Sequence, residues 1–179
     1  NIKNTNKPED PGTLIVPNGT DVERLPGTIT GIAGRKDFTV IAIEKALMNT
    51  ELGFGRKLLS IIESHGISFE HMPTGIDSIS LVIADEQLNG KLDSVIEDIK
   101  HQVKPDSIEV YPNMAMIATV GVGMSRTPGI AAKLFGALGE AGVNVRMIDQ
   151  GSSEINIIVG VETDDFEAAI RAIYWAFVE

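Results

Sequence analysis

A loop of small and polar residues, Met48-Asn49-Thr50-Glu51-Leu52-Gly53-Phe54-Gly55, stands just ahead of a helical pattern, and this junction could do chemistry. Free N–H groups and the helix dipole at a helix start favour an anion. The α-carboxylate of an amino acid suits such a place, and Gly53 and Gly55 would let the backbone approach it closely. A plainer reading stands beside this one: the glycines make a tight strand-to-helix turn. Further on, Glu70 and Asp77 flank a strand turn and could together hold an ammonium group, although strand-end acids are commonly just solvated. A charged hydrogen bond of that kind contributes about 1.5–3 kcal/mol. That is enough to prefer a lysine side chain over an uncharged one.

Catalytic constellations are weak by contrast. His65, His71 and His101 have no HxxxH or HxH spacing, so no metal site is assigned. Gly31-x-x-Gly34 and Gly121-x-Gly123 lack the context and the Lys-Ser/Thr of a phosphate loop. No serine sits in a nucleophile elbow. The chain is therefore expected to carry no catalytic residue and to need no cofactor.

The elements that position the loop come in two copies. Residues 39–84 recur, read without a gap, 76 positions later: Met48 falls on Met124, Gly53 on Gly129, Leu58 on Leu134, Gly66 on Gly142, Gly75 on Gly151 and Ile79 on Ile155. Shared turn glycines over that length imply two copies of one supersecondary unit. In copy one, strands are expected at 39–43, 67–72, 79–83 and 107–111. One helix follows the loop, and a second carries Leu92, Ile96, Ile99 and Val103 on one stripe. The order β-α-β-β-α-β is the ferredoxin-like one. Copy two reads as strand 115–120, loop 121–129, helix 130–141, strands 143–148 and 155–161, and helix 164–178, with no final strand of its own. An early strand, Thr28–Arg35, has no partner, and pairing it with copy two would cover both edges. Copy one is then inserted, in sequence, within copy two.

In that register copy two has Arg146 opposite Glu70 and Ser153 opposite Asp77, so a cation is better held by copy one. The loop Met124-Ser125-Arg126-Thr127-Pro128-Gly129 also opens a helix, and Ser125, Thr127, Gly129, Asn144 and Gln150 make a possible second site.

The composition sets outer limits. At 179 residues and 43% hydrophobic, the chain can bury a core in two small domains. A net charge of −10 argues against nucleic acid or an anionic membrane as partner. No apolar run approaches the roughly 20 residues of a membrane helix, and the absence of cysteine is compatible with a cytoplasmic protein. Residues 1–27, with little periodicity and no initiator Met, read as the tail of an upstream domain plus a linker.

Taken together, these segments resemble the paired ACT domains at the C-terminal end of aspartate kinases. The resemblance rests on Asn4-Thr5-x-x-Pro8-x-x-Pro11-Gly12-Thr13, Thr30-Gly31-Ile32-Ala33, Glu51-Leu52-Gly53-Phe54-Gly55-Arg56, Gly66-Ile67-Ser68-Phe69-Glu70 and Gly142-Val143-Asn144-Val145, and it covers essentially the whole chain. It implies an α+β fold with ACT domain 1 at 38–112 and ACT domain 2 at 28–37 plus 113–179, after the end of a kinase domain in 1–27. It also implies a parent enzyme that uses ATP and Mg to phosphorylate the β-carboxylate of aspartate, inhibited by lysine, by threonine, or by both together. The effector would lie between the first ACT domains of two subunits, against Met48, Asn49, Glu51, Gly53, Phe54, Gly55, Ser68, Phe69, Glu70, Thr74 and Asp77. The competing expectation is an oligomerisation module whose loops hold no ligand.

Overall fold

The computed structural model describes residues 1–17, 20 and 29–178. In chain order it contains β1 (Gly31–Glu44), α1 (Phe54–Ser64), β2 (Ser78–Ala84), α2 (Asp85–Leu88), α3 (Leu92–Val103), β3 (Ser107–Val120), α4 (Ile130–Glu140), β4 (Met147–Asp149), β5 (Asn156–Glu162) and α5 (Phe166–Val178). The fold is α+β and ferredoxin-like, with one antiparallel sheet in the order β2-β1-β3-β5-β4.

Two pairs of expected strands turn out to be continuous. The segments before and after the charged turn at 35–37 form the single strand β1, and 107–111 runs into 115–120 as β3. The turn is absorbed as a bulge. Asp37 and Asn113 both take left-handed φ values, 69° and 59°, and the β1–β3 register shifts around Phe38. Short polar side chains tolerate that conformation, so the extra residues bend the strand without ending it.

The register reveals the symmetry of the duplication. Gly31 pairs with Val120 and Glu44 with Ser107; Arg35 pairs with Met116 and Val40 with Tyr111. Each pair maps onto another when both members move by the repeat. Phe38 opposite Met114 maps onto itself, so a pseudo-two-fold axis passes between those two residues. Helices α1 and α4 begin and end at equivalent positions, each after a left-handed glycine, Gly53 and Gly129. The equivalence first breaks ahead of β2 and β5. Ile43 pairs with Ile79, but its counterpart Thr119 pairs with Ile157. Copy two therefore has two extra residues in the turn between Gly151 and Asn156. The gap-free reading fails from there on: Ile79 matches Ile157, and Asp77 matches Ile155 instead of Ser153.

Gly31–Arg35 pairs with Met116–Val120, beside β5, so the early strand does lie in one sheet with the strands of copy two. Gly34 lets it sit there, because a Cβ at that position would lie 2.6 Å from the Phe166 ring of α5. Thr28 and most of the linker fall outside the described residues. The expected strand 67–72 is reduced to isolated bridges, His71 to Val82 and Thr74 to Ile79, and 143–148 is regular only over β4. Both segments lie at sheet edges, and Pro73 has no N–H to extend the ladder. Thr13, which starts a strand-like run in the sequence, makes only a bridge to Ile2, and Leu14 and Ile15 remain exposed.

Among the described residues, three apolar clusters hold the structure together. The first gathers Ile41, Leu58, Ile61, Leu81, Ile83, Val95 and Ile99 between α1, α3 and the sheet; the second gathers Ile117, Leu134, Leu138, Val159, Val161 and Ile173 under α4 and α5. The third lies on the other face and joins Phe38, Val82, Ala84, Met114 and Met116 with Met147. Strands β2 and β4 stand at opposite ends of the strand order, so contact between their residues requires the sheet to curl. His71 Nδ1, 3.2 Å from Asp149 Oδ2, meets across the same closure. Burying each large side chain contributes about 1.5–3 kcal/mol.

Candidate ligand site

The copy-one loop leaves β1 at Glu44 and is fixed by acids from elsewhere in the chain. Lys45 N–H donates to the Asp77 carbonyl at 2.9 Å, Ala46 N–H to Asp106 Oδ2 at 2.7 Å, and Leu47 N–H to Asp77 Oδ1 at 2.9 Å. Leu47 is itself left-handed, with φ 59°. Met48 then turns inward and plugs the copy-one core, while Asn49 and Thr50 are exposed and Leu52 is 96% exposed. Phe54 is buried, with the Lys45 ammonium 5.7 Å from its ring centre.

Glu51 sits between two cations, Lys57 at 2.8 Å and Lys45 at 2.9 Å. Hydrogen bonds from Lys57 and then Lys45 hold its carboxyl below the usual carboxylate range. Glu51 is therefore a strut of the loop, and its negative charge is already matched. Helix α1 has no side-chain cap, and among the described residues nothing accepts from the N–H groups of Gly55 and Arg56. Two donors and the positive end of an 11-residue helix thus face outward behind Gly53, whose φ is 78°. A carboxylate fits that arrangement.

The other expected contacts divide into two groups. Thr74 and Asp77 lie at the loop's end of the sheet, where Thr74 bridges to Ile79 and its hydroxyl donates to Met72 O. Ser68, Phe69 and Glu70 do not join them within one chain. Ser68 and Phe69 line a hollow of about 640 Å³ with Leu59, Ile62 and Gln87, beside the second half of α1. Leu59 itself lies about 9 Å along that helix from Gly53. Glu70 donates its N–H to Val82 O, and its carboxylate lies 3.7 Å from the Arg35 guanidinium, which also binds Glu86 at 3.0 Å. The expected acid pair is thus split: Glu70 lies opposite the Val82–Ile83 part of β2 and Asp77 just before its start, roughly 17–20 Å away along the strand. The sequence places both acids beside a turn but does not show that residues 70–77 run along the length of the sheet.

Copy two carries the same loop with other supports. Gly121 N–H donates to Ile155 O, as Lys45 does to Asp77. Arg126 N–H donates to Glu154 Oε2 at 2.7 Å, so an acid from the inserted turn braces this loop three residues further along than the Asp77 side chain braces copy one. Thr127 donates to Gly123 O, and Met124 is buried as Met48 is. At the positions of Lys45 and Glu51 stand Gly121 and Thr127, and Lys133, matching Lys57, lies over the Phe177 ring instead. Gly129 stands at the start of α4 with φ 89°, Ser125 is half-buried, and Gln150 is exposed. Asn144 is also exposed and lies beyond the opposite end of that helix. Lys45, Lys57 and Asp106 were missed as loop supports. The even spacing of Lys45, Glu51 and Lys57 was a usable signal, whereas nothing local points to Asp106.

Among the described residues, no His, Asp and Glu side chains gather as a metal-binding group, and no helix is long and apolar enough to cross a membrane.

The ACT domain family pattern matches residues 117–177. Aspartokinase 3 of Bacillus subtilis is 39% identical over 177 residues, covering 98% of this chain and 38% of the relative. The crystal structure of Clostridium acetobutylicum aspartate kinase superposes with a TM-score of 0.91 at 65% identity, over 98% of this chain and 40% of that one. The chain belongs to the aspartate kinase family. It spans about two-fifths of the length of these kinases. It also matches 95% of a putative C-terminal regulatory domain of aspartate kinase from Porphyromonas gingivalis, at 28% identity and a TM-score of 0.65. The part of the family present here is the regulatory one.

Proposed function

We propose that this chain is the allosteric, amino-acid-binding region of a cytoplasmic aspartate kinase, and that copy one takes lysine as feedback inhibitor. Copy one is ACT domain 1 (38–112), inserted between the two pieces of ACT domain 2 (28–37 and 113–179), with 1–27 joining a kinase domain that uses ATP and Mg. The observation that carries the reading is the uncapped α1 start behind Gly53, at the end of a loop that exposes Asn49 and Thr50 and is tied to Asp77 at Leu47. The α-carboxylate of the effector accepts from the N–H groups of Gly55 and Arg56. Its ammonium groups turn to acids.

Within one chain Asp77 stands beside this loop and Glu70 does not. A second subunit, pairing edge to edge through its own copy one, supplies Ser68, Phe69 and Glu70 to complete the pocket. Such a joint gives a mechanism, because ligand between two subunits favours one mutual arrangement of them. Coupling of about 1–3 kcal/mol, the usual range, suffices to disturb a distant kinase centre. A second reading has one observation in its favour: Glu51 and Asp77 are already partnered, as they would be in a ligand-free oligomerisation module.

A thermal-shift screen over the amino acids, with light scattering, separates these readings. Lysine should raise the melting temperature and favour the dimer, since ligand at one hundred times its Kd adds about 2.7 kcal/mol. A shift with threonine alone would overturn lysine as effector, threonine together with lysine would indicate concerted sensing, and no shift with any amino acid would favour the module.

A further inference from the structure

Helices α3 and α5 occupy the same place in the two copies. Along the inward stripe Leu92, Ile96, Ile99 and Val103 match Phe166, Ile170, Ile173 and Phe177, and fully buried Val95 matches fully buried Ala169. Carried to the outward side, the same match sets Lys100, His101 and Lys104 against Tyr174, Trp175 and Val178. All six residues are exposed. In copy one this face is basic and at ease in water. In copy two it offers the chain's only tryptophan, 60% exposed, with Tyr174 and Val178 at 45% and 53%. The two rings stand edge to face with centroids 5.2 Å apart.

Single exposed apolar residues need no explanation. Three together, at positions where the sister helix carries charge, do need one. Tryptophan and tyrosine are also the residues that dominate binding hot spots. We propose that this face of α5 docks against the portion of the aspartate kinase polypeptide that lies outside the present chain. The inference rests on the reading of this chain as one part of a longer kinase.

Lengths identify the occupant. The relatives match 98% of this chain but are covered to only 38% and 40% of their own length, so about three-fifths of such a polypeptide has no place here. In the reading above a second copy is already engaged through its own copy one, which leaves α5 of copy two for another occupant. A covalently joined domain is instead held at high effective concentration, and a modest patch is then sufficient. The contact is also well placed for relay. Phe166 of α5 packs on Gly34 near one end of β1, and the copy-one loop hangs from Glu44 at the other end.

Photo-crosslinking in the full-length enzyme tests the docking, with a benzophenone amino acid placed at position 175 or, as control, at the matching position 101 of α3. Position 175 should give products reaching residues outside this chain, in at least tenfold higher yield than position 101. Equal yields, or products confined to residues 1–179 of a second copy, would overturn the proposal. Radical footprinting of the unsubstituted enzyme adds a second reading. Trp175 and Tyr174 should be oxidised at least five times more slowly than in the unfolded enzyme, and a ratio set by the exposures given above would contradict the docking. Neither readout needs an effector, so failure of the lysine reading leaves this test intact.

Discussion

Copy one and copy two bend the same backbone around loops that are wired with different charges. In copy one, Glu51 ties Lys45 to Lys57, and Asp77 and Asp106 hold the loop's first N–H groups. In copy two those lysine and glutamate positions read Gly121 and Thr127, and Glu154 from a longer turn holds the loop at a different point, Arg126 N–H. The far ends differ as well. Arg35 answers Glu70 and Glu86 in copy one, whereas in copy two Arg146 lies over Tyr111 and binds Glu162. The frame is duplicated and the chemistry is not. A sensor with one specific site would differ between its copies in this way.

The frame itself can be tested for equivalence. Leu58 and Leu134 occupy matched core positions, both fully buried. Leu58→Ala and Leu134→Ala should each lower stability by about 2–5 kcal/mol, within about 1 kcal/mol of each other by urea denaturation. One silent variant would break the symmetry. Gly34→Ala is the next largest change. It forces a methyl group against Phe166 and should cost about 1–3 kcal/mol, with hydrogen exchange rising in α5 and not in α1. The opposite pattern would mean that the early strand does not serve copy two.

Smaller effects sharpen the comparison of the loops. Gly53→Ala and Gly129→Ala keep open space but force a Cβ into a left-handed backbone, which costs about 1–2 kcal/mol. Unequal losses in melting temperature would show that one loop is pliant. The smallest effect is at Glu51, where Glu51→Gln should lower the melting temperature slightly at neutral pH. The Lys57 and Lys45 ammonium groups hold its carboxyl below the ordinary carboxylate range in the folded chain, so its contribution is present above the ordinary carboxylate pKa and disappears as pH falls through the lowered one. Native and variant melting temperatures should therefore converge in acid. A constant difference would assign the effect to something other than charge.

Much of this was legible in the sequence because glycine and apolar spacing report backbone demands directly. Gly53, Gly66, Gly129 and Gly142 all take the left-handed conformation that their matched positions imply. The missing fourth strand of copy two likewise pointed to 31–35. Two things were hidden. A charged turn at Arg35-Lys36-Asp37 looks like the end of a strand, yet pairing along β3 carries the strand through it. The two-residue insertion after Gly151 also falls among polar turn residues, where no apolar period marks the register, and so Glu154 went unrecognised. The separation of Glu70 from Asp77 within one chain was hidden for a related reason: adjacency to a turn does not fix distance along an edge.

Calorimetric titration of lysine into the native chain, Asp77→Ala and Glu154→Ala tests the central claim most directly. Each variant removes a carboxylate that accepts from a backbone N–H of its own copy's loop, at Leu47 and at Arg126. Lysine should bind the native chain and Glu154→Ala alike, and Asp77→Ala at least about tenfold more weakly, a loss of about 1.4 kcal/mol. Equal weakening by both variants, or loss of binding in Glu154→Ala alone, would contradict a site confined to copy one.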